Sequence, residues 1–151
     1  MEISIKVEGL KKLQQKLRAA QNKLNGSKQF WSSVGAYVQR QTIKERFDKE
    51  QSPDGEKWKP LAPATIKHRL KRHKTGKMKI LQDTGELRRS IKYEAGDNSV
   101  KVGSKLKYAR THQFGRDKIP RRPFLGVTDE EKRHIVQMYR QYVIRNVFGG
   151  A

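Results

Sequence analysis

Tyr108, His112, Gln113 and Arg122 stand in one short stretch and bring together a phenol, an imidazole, an amide and a guanidinium. Those groups are the equipment for acid–base attack on an RNA backbone: the imidazole moves a proton while the cation holds the phosphate. The same stretch supports a second reading. Gly115 allows a left-handed backbone, and Pro120 and Pro123 push the residues before them into extended conformations. Phe114, Phe124 and Leu125 then have large apolar groups to bury along a short, stiff path. On this reading 108–126 is a packed corner, too densely punctuated to be helical. His112 becomes a buried imidazole, hydrogen-bonded to backbone, that fixes the corner. We prefer this second reading, because no carboxylate is paired with the set.

Other chemistries find less support. His68 and His73 are five residues apart on an expected helix, which sends them to different faces, and no carboxylate lies near them in sequence. Lys74-Thr75-Gly76-Lys77 lacks both the upstream glycine and the following Ser or Thr of a phosphate loop. The chain has no cysteine, which rules out disulfides, zinc ribbons and thiol catalysis. The sequence therefore predicts no catalytic residue, no metal site and no cofactor.

Thirty-five Lys and Arg against 15 Asp and Glu give a net charge of +20. Such a charge calls for a counter-charge on nucleic acid, an anionic surface or an acidic protein. It peaks between the turn at Glu56 and Asp83, where no acid occurs. Lys67, Arg69, Lys71, Arg72, Lys74, Lys77 and Lys79 fall there, and we expect them to face anionic groups. No aromatic residue interleaves them, so contact with DNA would be made to phosphates and would be independent of sequence. The first residues carry no apolar leader and no stretch approaches membrane-spanning length, so we expect a protein made in the cytosol with no membrane partner.

The elements that would carry these groups read as α+β. Ile3, Ile5 and Val7 alternate as a short strand, and Leu10, Leu13, Leu17, Ala20 and Leu24 form one helical stripe ending at Asn25-Gly26. Ser27 can cap a second helix with Phe30, Trp31, Val34, Tyr37 and Val38 on one face. Ser52-Pro53-Asp54-Gly55 is a turn leading to Trp58. Residues 64–74 look helical, anchored by Ile66 and Leu70. Asp83 or Thr84 can cap a short turn through Leu87. Tyr93 and Ala95, then Val100 and Val102, alternate across Gly96-Asp97-Asn98 as a hairpin. Thr128 to Glu131 make a capping box for a last helix with Ile135, Met138, Tyr139, Tyr142, Val143 and Val147 as its buried stripe. The expected organisation is one domain over 1–151: a helical arm to residue 50, a core over 51–127 and a terminal helix over 128–151. Helices would pack on a small antiparallel sheet.

Three segments in register carry a family resemblance. The first is Pro53-Asp54-Gly55 with Trp58 and Leu61, where Thr65 opens the next helix. The second is Leu81, Thr84-Gly85, Leu87 and Ser90-Ile91. The third runs from Val102-Gly103-Ser104 through Tyr108-Ala109 and His112-Gln113-Phe114-Gly115 to Ile119-Pro120 and Arg122-Pro123-Phe124-Leu125-Gly126. Together they resemble the phage virion morphogenesis family, the tail-completion proteins of Mu-like and P2-like phages. The sequence departs at Thr111, where the family usually has an aliphatic residue, and 67–79 lies in a stretch that varies. The resemblance implies a non-enzymatic virion protein assembled in the bacterial host. It would act at the head-proximal end of the tail, in tail completion and head joining. It also implies a ring, often hexameric, around the DNA channel, with tail tube or sheath and neck or connector proteins as partners. The alternatives are a small basic ribonuclease or toxin using Tyr108, His112 and Arg122, and a plain nucleic-acid-binding module.

Overall fold

A computed structural model describes residues 10–24, 27–72 and 78–149. The strand expected over 3–7, and Lys74 and Lys77 of the basic stretch, lie outside them. Helix α1 spans Leu10–Leu24 and α2 spans Lys28–Gln41, which runs on as a wider π-helical segment, Thr42–Asp48. Then come α3 (Pro63–Arg72), α4 (Glu86–Ser90), strands β1 (Lys92–Ala95) and β2 (Val100–Gly103), α5 (Ala109–Phe114) and α6 (Asp129–Val143). The fold is α+β.

The hairpin pairs Tyr93 with Val102 and Ala95 with Val100, so these residues share one face, while Lys92, Glu94 and Lys101 take the other. Helix α2 lies across the apolar face. It comes so close at Gly35 that a Cβ there would sit 2.5 Å from the Tyr93 ring, so no larger residue fits without displacement. Phe30, Val34 and Val38 of α2 are buried between Val100 and Val102 on one side and Ile135, Met138 and Tyr142 of α6 on the other.

A second cluster holds Phe47, Trp58, Ile80, Leu87, Ile91, Ala109 and Phe124. Phe47 sits at its centre, edge-on to Trp58 and tilted against Phe124, with both ring centroids 5.6 Å away. The two clusters are bridged by Arg46 and Glu131. Arg46 donates from Nη1 and Nη2 to the two Glu131 carboxylate oxygens at 2.6 and 2.8 Å. Glu131 also accepts from the backbone of Thr128 at 2.9 Å, while the Thr128 hydroxyl accepts from Glu131 N at 3.1 Å, completing the capping box. One carboxylate thus caps α6 and locks it to the segment after α2.

Two local expectations are corrected, and a third is met in position alone. The cap of α4 is neither Asp83 nor Thr84 but Gly85, in the left-handed region at φ 73°. Thr84 accepts a longer bond from Glu86 N at 3.3 Å. Ser27 is the N-cap of α2 as expected, although its side chain makes no capping bond. The stripe of α6 is shallow: Ile135, Met138 and Tyr142 are half-buried, Tyr139 is exposed, and the residue of α6 that is buried is Glu131.

Candidate functional site

Residues 108–126 form a corner, but its first arm is helical, contrary to the expectation from its punctuation. Tyr108 to Phe114 contain neither glycine nor proline, so nothing stops a single turn of helix from forming as α5. Gly115 ends it at φ 78°, with its N–H on Thr111 O at 2.8 Å. A Cβ at Gly115 would meet Arg121 N at 3.0 Å, so both the backbone angle and the space favour glycine. A tight turn, Arg116 to Ile119, reverses the chain, and the second arm runs extended through the two prolines.

Gln113 ties the arms together. Its Oε1 accepts from Phe124 N and Leu125 N, both at 3.0 Å, and its Nε2 donates to Leu125 O at 2.9 Å. Arg122 N donates to His112 O at 2.7 Å. The Arg122 side chain reaches outward, from Nε to Lys59 O at 2.9 Å and from Nη2 to Pro60 O at 2.8 Å. Trp58 Nε1 donates to Pro123 O at 2.8 Å from the other side. Backbone groups that a buried loop would strand are thereby paired with side chains. The three apolar residues expected to be alike are sorted: Phe124 is fully buried and Leu125 half-buried, whereas Phe114 is 71% exposed, and Ile119 and Tyr108 also stand open. The burial expected of Phe114 is therefore corrected. Gly115 ends α5 just after it and leaves its ring on the outer side.

His112 departs from expectation in a different way. It is its backbone carbonyl, not its imidazole, that fixes the corner; Nδ1 is buried with no hydrogen-bond partner among the described residues. Burial, and then the Arg122 charge, depress its pKa below the ordinary histidine value, so the ring is neutral at neutral pH. Tyr108 stands edge-on to it at 5.9 Å and donates its hydroxyl to Glu86 at 2.9 Å. Burial and Glu86 together raise the phenol's pKa. Tyr108, His112 and Arg122 do line one cleft of about 450 Å³, together with Arg69 and Lys118. For phosphodiester chemistry the arrangement is poor. The phenol is engaged by Glu86, two guanidinium nitrogens are spent on carbonyls, and Nδ1 faces no proton donor or acceptor.

The basic stretch is split. Lys67 and Lys71 are exposed on α3, and Lys79 is exposed with Nζ at 3.4 Å from Asp48 O. Arg69 is 94% withdrawn from solvent, with 6% exposure left; it donates from Nη1 to Lys79 O at 2.7 Å and has Nε 3.6 Å from Asp83. Arg72 meets the same carboxylate at 2.7 Å. These two arginines hold α3 to the segment after it, which corrects the expectation that the whole stretch faces outward. The apolar anchors are reversed too: Leu70 is 56% exposed and Ile66 stands open beside it. Gln113, Asp83 and the Arg46–Glu131 pair hold the site together; the sequence had put Gln113 in an acid–base set and Asp83 and Glu131 at helix caps, and had given Arg46 no role. Among the described residues no cluster of His, Asp and Glu could hold a metal ion, and no helix is long and apolar enough to cross a membrane.

Residues 8–144 match the profile of the phage virion morphogenesis family. Over 92 residues the chain is 38% identical to Mu-like prophage FluMu G protein 1 of Haemophilus influenzae. That alignment takes in 61% of this chain and 63% of the relative, so less than two thirds of the relative's length is matched. No solved structure matches the chain significantly.

Proposed function

Since this chain belongs to the phage virion morphogenesis family, we propose that it completes the head-proximal end of the tail and prepares it to join the head. Its protomers close into a ring, hexameric by the family resemblance, around the DNA channel. One face of the ring is offered to tail tube or sheath subunits and the other to neck or connector proteins. A ring needs a heterologous contact that closes, with different patches on each side of the protomer. The observation that carries this reading is the corner, where a buried scaffold holds two exposed apolar residues, Phe114 at the end of α5 and Ile119 in the turn after it. Rigid support beneath exposed apolar groups suits a contact surface, since little ordering remains to be done on binding. Lys67, Lys71 and Lys79 would stand near DNA phosphates or acidic protein. The finished protein resides in the virion after assembly in the host cytoplasm.

The test is deletion of the gene from the parent phage or prophage, followed by electron microscopy of the induced lysate. Free filled heads beside tails with unsealed proximal ends are the expected outcome. Normal virions would refute the structural role. Degradation of RNA by the purified protein, lost in His112→Ala, would favour the ribonuclease instead.

A further inference from the structure

Arg122 is 7% exposed and has no carboxylate partner among the described residues; its side-chain hydrogen bonds run to the neutral carbonyls of Lys59 and Pro60. A buried cation without a counter-charge is costly. Burial, and then the charge of Arg69, both depress its pKa. Two carboxylates line the same cleft, but each is engaged, Asp83 by Arg69 and Arg72 and Glu86 by the Tyr108 hydroxyl. Lys118 stands exposed at the rim and adds a further positive charge. Between these groups the walls are apolar, from Leu61, Leu81, Leu87 and Pro120.

From this geometry we propose that the cleft between α3, α4 and the corner is a docking site for a segment of an acidic partner protein. One Glu or Asp of that segment enters beside Arg122 and Lys118, and an apolar neighbour lies on the leucine wall. Charge decides the occupant. An acidic protein is attracted to this +20 chain at long range. A DNA backbone fits less well, because the walls of the cleft are partly apolar. The inference rests on the assembly role only in taking the partner to be a protein. It can be tested on the isolated chain, so its failure would leave the deletion phenotype untouched, and failure of that phenotype would leave it standing.

The probe is the peptide acetyl-Gly-Leu-Glu-Leu-Gly-amide, titrated into the full-length protein while the Arg122 Nε–H and His112 ring resonances are followed by NMR. Saturable shifts are expected, with the Gln counterpart binding roughly tenfold or more weakly, the equivalent of about 1.4 kcal/mol. Lys118→Glu, at an exposed position that leaves the fold intact, should weaken the Glu peptide and narrow that difference. The proposal is overturned by equal binding of both peptides, by no shift with either, or by a Lys118→Glu protein that binds as before. It is also overturned if an oligothymidylate moves the same resonances more strongly than the Glu peptide. Concentration-dependent broadening of those resonances without peptide would show a second copy as the occupant, and would overturn it too.

Discussion

The corner at 108–126 and helix α3 are both basic segments with a few apolar residues, and each buries an arginine, yet the corner buries a large apolar ring as well and α3 does not. In the corner, Phe124 is buried at 0% exposure beside a buried Arg122 whose side chain reaches neighbouring backbone, while Phe114 is left outside. In α3 the arginine at 69 is buried and the leucine at 70 is outside. The difference lies in available partners. Phe124 meets Phe47 and the Trp58 cluster, so burial of its ring is rewarded by about 25 cal/mol per Å² of apolar surface. Helix α3 faces a segment presenting Asp83 and the Lys79 carbonyl, and a guanidinium satisfies those groups better than an alkyl chain. Residue type alone therefore does not decide which side of a short helix is the inside.

The largest effect should come from removing the corner's anchor. Phe124→Ala empties an aromatic-sized space and should cost about 3–5 kcal/mol of unfolding free energy in a denaturant titration. A loss under 1 kcal/mol would mean that the corner is not held by its core contacts. On α3 the contrast should invert. Arg69→Ala leaves the Lys79 carbonyl without its donor and should cost about 1–3 kcal/mol, whereas Leu70→Ser should stay within about 0.5 kcal/mol. If the leucine change were the more damaging, the helix would be facing the other way.

A smaller effect concerns pH. Burial lowers the pKa of His112 in the folded protein, so the unfolded chain binds the proton more readily. The stability gained by keeping the ring neutral is present in full above its unfolded value of about 6.5 and declines as pH falls from there through the lowered folded value. Melting temperatures measured across that window should fall with acidification, and His112→Asn should flatten the curve. An unchanged slope would show that the ring is not held away from water.

Much of the scaffold was legible in the sequence, for reasons that are local. The apolar face of α2, the alternation of the hairpin and the capping box at Thr128 all act within a few residues, whereas Leu17 of the stripe expected on α1 is 60% exposed. The partners of Arg46 and Glu131 were not legible, because they stand 85 positions apart and Glu131 already had a local role as a cap. The sorting of Phe114 from Phe124 was hidden for a different reason. Both are phenylalanines beside a turn, and the end of α5 at Gly115 decides which ring points outward. His112, Tyr108 and Arg122 were brought together as expected from their nearness, but the structure gives them neighbours that sequence spacing does not name: Glu86, Lys59 and Pro60.

The outward ring of Phe114 offers the most direct test of a rigid corner that serves assembly. The deletion strain is complemented with Phe114→Asp while the purified variant is melted beside the native protein. The side chain is 71% exposed, so the melt should match the native one within the ~0.5 kcal/mol typical of surface substitutions. Virion yield should nevertheless collapse, with unsealed tails accumulating in the lysate. A variant that melts normally and restores full virion yield would contradict the assignment of this corner to assembly.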